Sequence, residues 1–303
     1  MKVLVTGSSG MIGSALVKAL EDINHAVVAV DKKEPYYTNP KLFVRFDLCE
    51  EPLELKKKLQ PENVDIDLII HLAANARVWD LTQNPQGALE NVTTTHNIFE
   101  FARICKVQKI IFASSREVYG NDVESFPVSE GASSQRDCES VYAASKIFGE
   151  SYCFAYNRCF GIDAQIVRFS NVYGKYDHSD RFIPKMIRQL RDNQDVVIFN
   201  GEKLLDFTFI DDTVSGVLHL ITHWPCADSK REWNIASGKA YKLLYVVERL
   251  KQLLHSSSQI LLEPTRPGEV CKYQANLKKM NSIGWKPIVE LEEGLRKSIE
   301  YYN

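Results

Sequence analysis

Tyr142 and Lys146 lie four residues apart in the run Tyr142-Ala143-Ala144-Ser145-Lys146. On a helix that step is about one turn, so the phenol and the ammonium share a face. A free tyrosine titrates near pH 10 and is a poor base at neutrality. Bringing it to about 7 takes roughly 4 kcal/mol of preferential anion stabilisation. A neighbouring lysine cation can supply much of that. The pair is short and recurs by chance, so its weight depends on what precedes it.

The chain opens Met1-Lys2-Val3-Leu4-Val5-Thr6-Gly7-Ser8-Ser9-Gly10-Met11-Ile12-Gly13. An apolar strand runs into three glycines, and helical spacing follows, which is the context a dinucleotide loop needs. Gly7 permits a tight turn, Gly10 lets backbone approach a diphosphate, and Gly13 lets helix pack on strand. The helix start offers free amide hydrogens and a positive dipole end to the anion. A second strand ends at Asp31, about 20 residues beyond the loop, where a carboxylate receives a ribose and repels a 2′-phosphate. That favours NAD over NADP, with Lys32 and Lys33 as the counter-indication. A bound nicotinamide cation would add to the stabilisation of a tyrosinate.

These groups require a scaffold. Apolar runs at Lys2–Thr6, Ala26–Val30, Leu42–Arg45, Leu68–Leu72, Lys109–Ala113 and Ala164–Phe169 alternate with helical patterns. The helices fall at Met11–Leu20, Pro52–Leu59, Pro85–Cys105 and Tyr142–Phe160. Strands too apolar for a wet face, alternating with helices, imply an α/β, Rossmann-like, doubly wound parallel sheet covered on both sides. Ligands then gather at the carboxyl ends of the strands. The glycine loop, Asp31, Asp47-Leu48, Ala73-Ala74, Ser114-Ser115 and Asn171 all fall there. Residues 1–170 read as this nucleotide domain, and 171–303 mainly as a smaller, discontinuous substrate lobe, with 206–222 returning to the first. Further helices are expected over Arg181–Arg191, Asp211–Thr222, Lys242–His255 and Leu291–Tyr302.

Composition excludes several classes. The 303 residues are 45% hydrophobic with a net charge of −2, enough for a sizeable core and without the basic excess of a nucleic-acid binder. No apolar stretch approaches the ~20 residues of a membrane span. The first strand begins at residue 2, which leaves no room for a signal peptide. Seven dispersed cysteines, with no Cys-x-x-Cys pair, suit a reduced, cytoplasmic protein. The seven histidines form no ligand-spaced cluster, so no metal is expected. His71, at a strand end, reads as a packed core residue. Lys56-Lys57-Lys58 and Lys278-Lys279 read as solvated helix faces, and Asp211-Asp212 as a helix N-cap and first-turn acid.

The chain resembles the extended short-chain dehydrogenase/reductases, in the NAD-dependent epimerase/dehydratase family acting on nucleotide sugars, over essentially its whole length. The resemblance rests on the glycine loop, Asp47-Leu48, His71-Leu72-Ala73-Ala74, Asn91, Ser114 to Gly120, Tyr142 to Lys146, and Arg168 to Gly174. Later markers are Asp206 to Asp212, Arg266-Pro267-Gly268-Glu269 and Gly284-Trp285-Lys286-Pro287. It implies that Gly7, Gly10, Met11, Ile12, Gly13 and Asp31 hold NAD. Asp47 and Leu48 would hold adenine, and Leu72, Ala73, Ala74, Ser114 and Phe169 would line the cofactor. Asn91 would support the helix carrying the site. Lys146 would bind the nicotinamide ribose and depress the pKa of Tyr142, and Ser115 would share the sugar proton with Tyr142. On the substrate side, Asn171 would touch the sugar diphosphate and Arg266 would pair with its phosphates. Glu269 would reach the nucleotide ribose, and Tyr273 would border the sugar pocket. The alternative for Arg266 is an exposed turn cation, and Tyr119 and Tyr173 read as packing residues. A homodimer is implied through Pro85–Cys105 and Tyr142–Phe160.

In this family Tyr142 would remove a hydroxyl proton while hydride leaves the same carbon for NAD. The following step separates the members. Sugar 4,6-dehydratases place Asp-Glu after the serine, whereas this chain has Arg116-Glu117, so the base is present and the acid is not. Decarboxylases carry a late arginine where Tyr273 stands. A 4-epimerase needs only Ser115, Tyr142 and Lys146. The expected activity is therefore an NAD-dependent nucleotide-sugar epimerase, of the UDP-sugar 4-epimerase kind, with dehydration through Glu117 as the alternative. A non-catalytic NAD-binding module or a plain reductase is disfavoured. Leu205 replaces an arginine common in relatives, and Lys203 is a candidate substitute. Asn276 replaces a common aspartate.

Overall fold

A computed structural model describes residues 1–59, 65–123, 125–132, 137–224 and 231–302. Cys226 lies outside them. The strands are β1 (Lys2–Thr6), β2 (Ala26–Asp31), β3 (Phe43–Arg45), β4 (Leu68–His71), β5 (Lys109–Ser115), β6 (Asp163–Phe169), β7 (Asn171–Tyr173), β8 (Val196–Phe199), β9 (Leu204–Phe209), β10 (Glu232–Ile235), β11 (Ala240–Lys242) and β12 (Ile260–Glu263). The helices are α1 (Met11–Asp22), α2 (Pro52–Leu59), α3 (Val78–Gln83), α4 (Gln86–Cys105), α5 (Val141–Phe160), α6 (Phe182–Arg191), α7 (Ile210–Thr222), α8 (Leu243–Leu253), α9 (Lys278–Ser282) and α10 (Leu291–Tyr302).

Seven strands pair in parallel, in the order β10-β6-β5-β4-β1-β2-β3. Alternate residues of one strand enter opposite cores. Val3 and Val5 join the core shared with Leu16 of α1 and Val217 of α7, while Leu4 joins that of Phe99 on α4 and Cys153 on α5. The same split separates Ile111 from Ile110 and Val167 from Ile166. Two covered faces explain why these strands read as unbroken apolar runs.

Local signals set the helix bounds. At the start of α5, the Ser140 side chain accepts the Ala143 amide at 3.1 Å, and at its end Gly161 turns left-handed (φ 69°). Both are ordinary cap chemistry. The sequence reading missed β7 to β12, α3 and α9, which are three to six residues long. Two expectations need correction. The Asp211-Asp212 pair does stand in the first turn of α7, but the N-cap is Phe209, and Asp212 is 2% exposed and accepts the amides of Ile288 and Val289 at 3.0 and 2.9 Å. Lys279 is half-buried, donates to the Glu232 carbonyl at 2.8 Å and sits 3.9 Å over the Trp233 ring, clamping β10.

Candidate functional site

The carboxyl ends of β1, β2, β4, β5 and β6 open into one cleft of about 1460 Å³. A site for a single small ligand holds roughly 300–1,000 Å³, so this one has room for more than one. At its floor the backbone of the glycine loop closes tightly. A Cβ on Gly13 would stand 2.1 Å from the Gly7 carbonyl oxygen, and one on Gly7, whose φ is +68°, 2.7 Å from the Ala73 amide nitrogen. Side chains there would force the loop away from α1 and from the segment after β4. Asp31 accepts the Ser9 amide at 3.0 Å and the Lys33 amide at 2.9 Å. Lys32 extends towards Asp47 and Glu90, at 3.9 and 3.8 Å, so its charge is shared with acids. That arrangement suits an unphosphorylated adenosine ribose.

Further along, β5 brings Ser114 and Ser115 to the cleft, and the first turns of α5 bring Tyr142 and Lys146. Lys146 is buried, donates to the Ala113 carbonyl at 2.7 Å, and lies 5.8 Å from the centre of the Tyr142 ring. Burial pulls its ammonium down to about 8, opposed by Glu150. Burial pushes the Tyr142 phenol up to about 12; a hydrogen bond to Ser115 and the charges of Arg181 and Arg116 work the other way. Two arginines that the sequence reading did not connect with Tyr142, Arg181 and Arg116, thus also act to lower the phenol, while Glu117 acts to raise it. Arg181 precedes α6 in the late part of the chain, and no spacing signal ties it to Tyr142.

One support, Glu150, escaped the sequence reading. Glu150 takes Arg168 in a bidentate pair (2.8 and 2.7 Å) and the Ser114 hydroxyl at 2.5 Å. It stands one turn beyond Lys146 on α5, which was the available clue. Asn91 accepts the Asn75 amide at 2.7 Å and donates to the Asn75 carbonyl and to the Ser145 hydroxyl at 3.0 and 3.2 Å. It therefore ties α4, the loop after β4 and α5 together. His71 is a core group: its Nδ1 lies 2.7 Å from the Thr6 hydroxyl, and burial lowers its pKa to about 3. Tyr119 is fully buried and donates to Asn234 Oδ1 at 2.6 Å.

The other wall comes from later segments. Leu205 lines it, with Lys203 ion-paired to Glu269. The Arg266 guanidinium lies 3.6 Å from the centre of the Phe199 ring and 4.8 Å from that of Trp79. Asn171 is engaged on both sides, accepting from Arg116 Nε at 3.2 Å and donating to the Asp206 carbonyl at 2.9 Å. Of the residues assigned to the site from sequence, Tyr273 is the exception. It is fully buried, outside the cleft lining, stacked 5.7 Å from Tyr119 behind Arg116. Its amide donates to the Leu204 carbonyl at 2.8 Å in an extended segment. Alternation there turns Lys272 outward and Tyr273 in.

Among the described residues, no His, Cys, Asp and Glu cluster could hold a metal, and no helix is long and apolar enough to cross a membrane.

Comparison with known proteins agrees with this geometry. The structure of a Thermotoga maritima UDP-glucose 4-epimerase with UDP-glucose superposes with a TM-score of 0.89 at 26% identity, covering 100% of this chain and 98% of that one. MoeE5 in complex with UDP-glucuronic acid and NAD gives 0.88 at 29% identity, covering 99% and 98%. The mouse dTDP-D-glucose 4,6-dehydratase is 29% identical over 99% of this chain and 88% of its own. A model of the NAD dependent epimerase/dehydratase family matches residues 3–236. With the glycine cradle, Asp31 and the Tyr142–Lys146 turn in one cleft, the chain belongs to that family, and its cofactor is NAD.

Proposed function

We propose that the protein is an NAD-dependent nucleotide-sugar epimerase, inverting C4 of a UDP-sugar. The observation that carries this reading is the state of the residues after Ser115. Arg116 stands where a dehydratase would need an acid, and its guanidinium is 2.8 Å from Glu117. Without an acid at position 116, Ser115, Tyr142 and Lys146 remain, which are the groups an epimerase requires.

In this reading Tyr142 takes the proton of the sugar hydroxyl, with the Ser115 hydroxyl bridging the two. NAD, when bound, accepts and returns the carbinol hydride, and its positively charged ring adds to the cations that lower the phenol. Lys146, held by the Ala113 carbonyl, is placed to bind a ribose hydroxyl. Tyr142 returns the proton once the keto-sugar has presented its other face. Arg266 and Lys203 are the cations assigned to the sugar diphosphate, and Glu269 to a ribose. A homodimer through α4 and α5 and a cytoplasmic setting belong to the same proposal; the exposed Leu89 on α4 supports the first, and free thiols such as Cys49 and Cys159 the second.

One observation favours a second reading. Glu117 lines the cleft, and burial raises its carboxyl above the usual range, which suits a base or acid in dehydration. Incubating the protein with UDP-, GDP- and dTDP-hexoses and following products by NMR separates the two. Inversion at C4 without change of mass is expected; loss of water from the product would replace epimerase by dehydratase.

A further inference from the structure

The sugar end of the cleft contains an ion pair with hydrogen-bonding capacity left over. Arg116 is 8% exposed and Glu117 5%. They form a short 3₁₀ turn capped by Ser115, whose hydroxyl accepts the Glu117 amide at 3.2 Å. Arg116 directs Nε to Asn171 Oδ1 at 3.2 Å and Nη2 to Glu117 Oε1 at 2.8 Å. Its Nη1 has no partner, nor has Glu117 Oε2, and the Tyr273 hydroxyl behind them is also unmatched; the Val270 amide and the charges of Glu269 and Lys203 also act on the Glu117 carboxyl.

Buried polar atoms are nearly always hydrogen-bonded, and an orphan costs more than an average hydrogen bond contributes. Here a donor and an acceptor are left over on neighbouring side chains that both line the cleft, next in sequence to Ser115. The charges of the pair cancel. A carboxylate would satisfy Nη1 alone and set its other oxygen against Glu117. A hydroxyl carries both functions, an acceptor for Nη1 and a donor for Oε2.

We propose that Arg116 and Glu117 form a hydrogen-bonding station for a neutral hydroxyl on the sugar, flanking the reacting carbon, and thereby select hexoses over uronates. The station rests on the reading of Tyr142 and Ser115 as the reacting pair, which is what puts it next to that carbon. A site built around a hydroxyl rejects the analogue that lacks it far more strongly than an apolar pocket rejects an extra group.

The test pairs changes in the sugar with changes in the protein. UDP-glucose, its 3-deoxy and 6-deoxy analogues and UDP-glucuronate are compared on the NAD-loaded wild type, Glu117→Gln and Arg116→Met. Both kcat/KM and calorimetric Kd are recorded. In the wild type, one deoxy analogue should lose roughly 10- to 100-fold, and in either variant that loss should shrink to about 3-fold or less. Glu117→Gln should also narrow the glucose-to-glucuronate ratio by about 10-fold or more. Equal deoxy penalties in wild type and variants, or tighter binding of glucuronate than of glucose by the wild type, would overturn the station. Coupling in Kd without turnover of any sugar would leave the station standing and remove the reaction reading; turnover without coupling would do the reverse. Glu117→Gln is isosteric and carries the test if Arg116→Met does not fold.

Discussion

The cofactor end of the cleft and the sugar end are built from different materials. Around the cofactor, Asp31, Ser114, Lys146 and Asn91 stand at the ends of regular strands or on long helices, closed on protein partners. Around the sugar, Arg116, Lys203, Leu205, Arg266 and Glu269 come from a 3₁₀ turn, short strands and loops far apart in the chain. There Arg116 Nη1 and Glu117 Oε2 remain unmatched, whereas in the glycine loop the one unmatched side-chain atom among the described residues is Ser8 Oγ. The first end is preorganised for the NAD shared by the family. In the proposed reading, the second would leave valences for a substituent that varies among members, so chemistry and specificity could change separately.

The largest expected effect joins the two ends. Tyr142→Phe removes the one group both legs of the reaction require, while Lys146, Asp31 and the glycine cradle stay in place. Turnover should fall by about 10²-fold or more, the usual scale for a positioned acid–base group, with NAD retained on purification. Turnover within a few-fold of wild type would show that the phenol is not the proton carrier. The phenol's high setting in the protein, about 12, gives a second expectation: adding NAD should move its titration downward, seen as tyrosinate absorbance appearing at lower pH.

A smaller effect tests how firmly the cofactor end depends on its core. His71 is 1% exposed and depressed to about 3 by burial, with Lys146 adding to the depression. In the unfolded chain an imidazole titrates near 6.5, so below that pH the unfolded state binds the proton and the folded state does not. The stability this contributes is complete above about 6.5 and declines as pH falls towards about 3. At pH 5 the loss amounts to about 2 kcal/mol. Denaturant titrations at pH 7 and pH 5 measure it, and His71→Asn should flatten the difference. An equally steep dependence in the variant would place the sensitivity elsewhere.

The same contrast explains what could be read from sequence. β1, β2, β4, β5 and β6 were legible because each is covered on both faces and therefore apolar throughout. The glycine loop and the Tyr142–Lys146 turn were legible because their spacing is local. β10 was not: its four residues join the sheet beside β6 only after a run of chain from another region. β8 pairs with β12, far along the chain, in a register that no local pattern encodes. Tyr273 was misplaced for the same reason, since a bridge to Leu204, not its own neighbours, decides which way it faces. Asp206 shows the limit most plainly. It was noted as a marker without a role, yet it is fully buried and its carboxylate accepts the amides of Ser237, Gly238 and Ala275 at 3.0, 2.8 and 3.3 Å. Those partners are invisible until the lobe is assembled.

The smallest effect belongs to the sugar end alone. Arg266 has two readings that geometry makes separable: a cation waiting for a diphosphate, or a cation used up in stacking on Phe199 and Trp79. Stacking and anion binding use different parts of a guanidinium, its face and its edge, so both can operate together. If the edge binds phosphate, Arg266→Ala should raise KM about 10-fold, near 1.4 kcal/mol, with kcat changed by about 2-fold or less. Arg266→Lys should then recover only part of the loss, because an ammonium keeps the charge but neither stacks as a plane nor binds in bidentate fashion. An unchanged KM accompanied by a lower melting temperature would assign Arg266 to packing, and Lys203 would be left as the diphosphate cation in place of the arginine that Leu205 lacks.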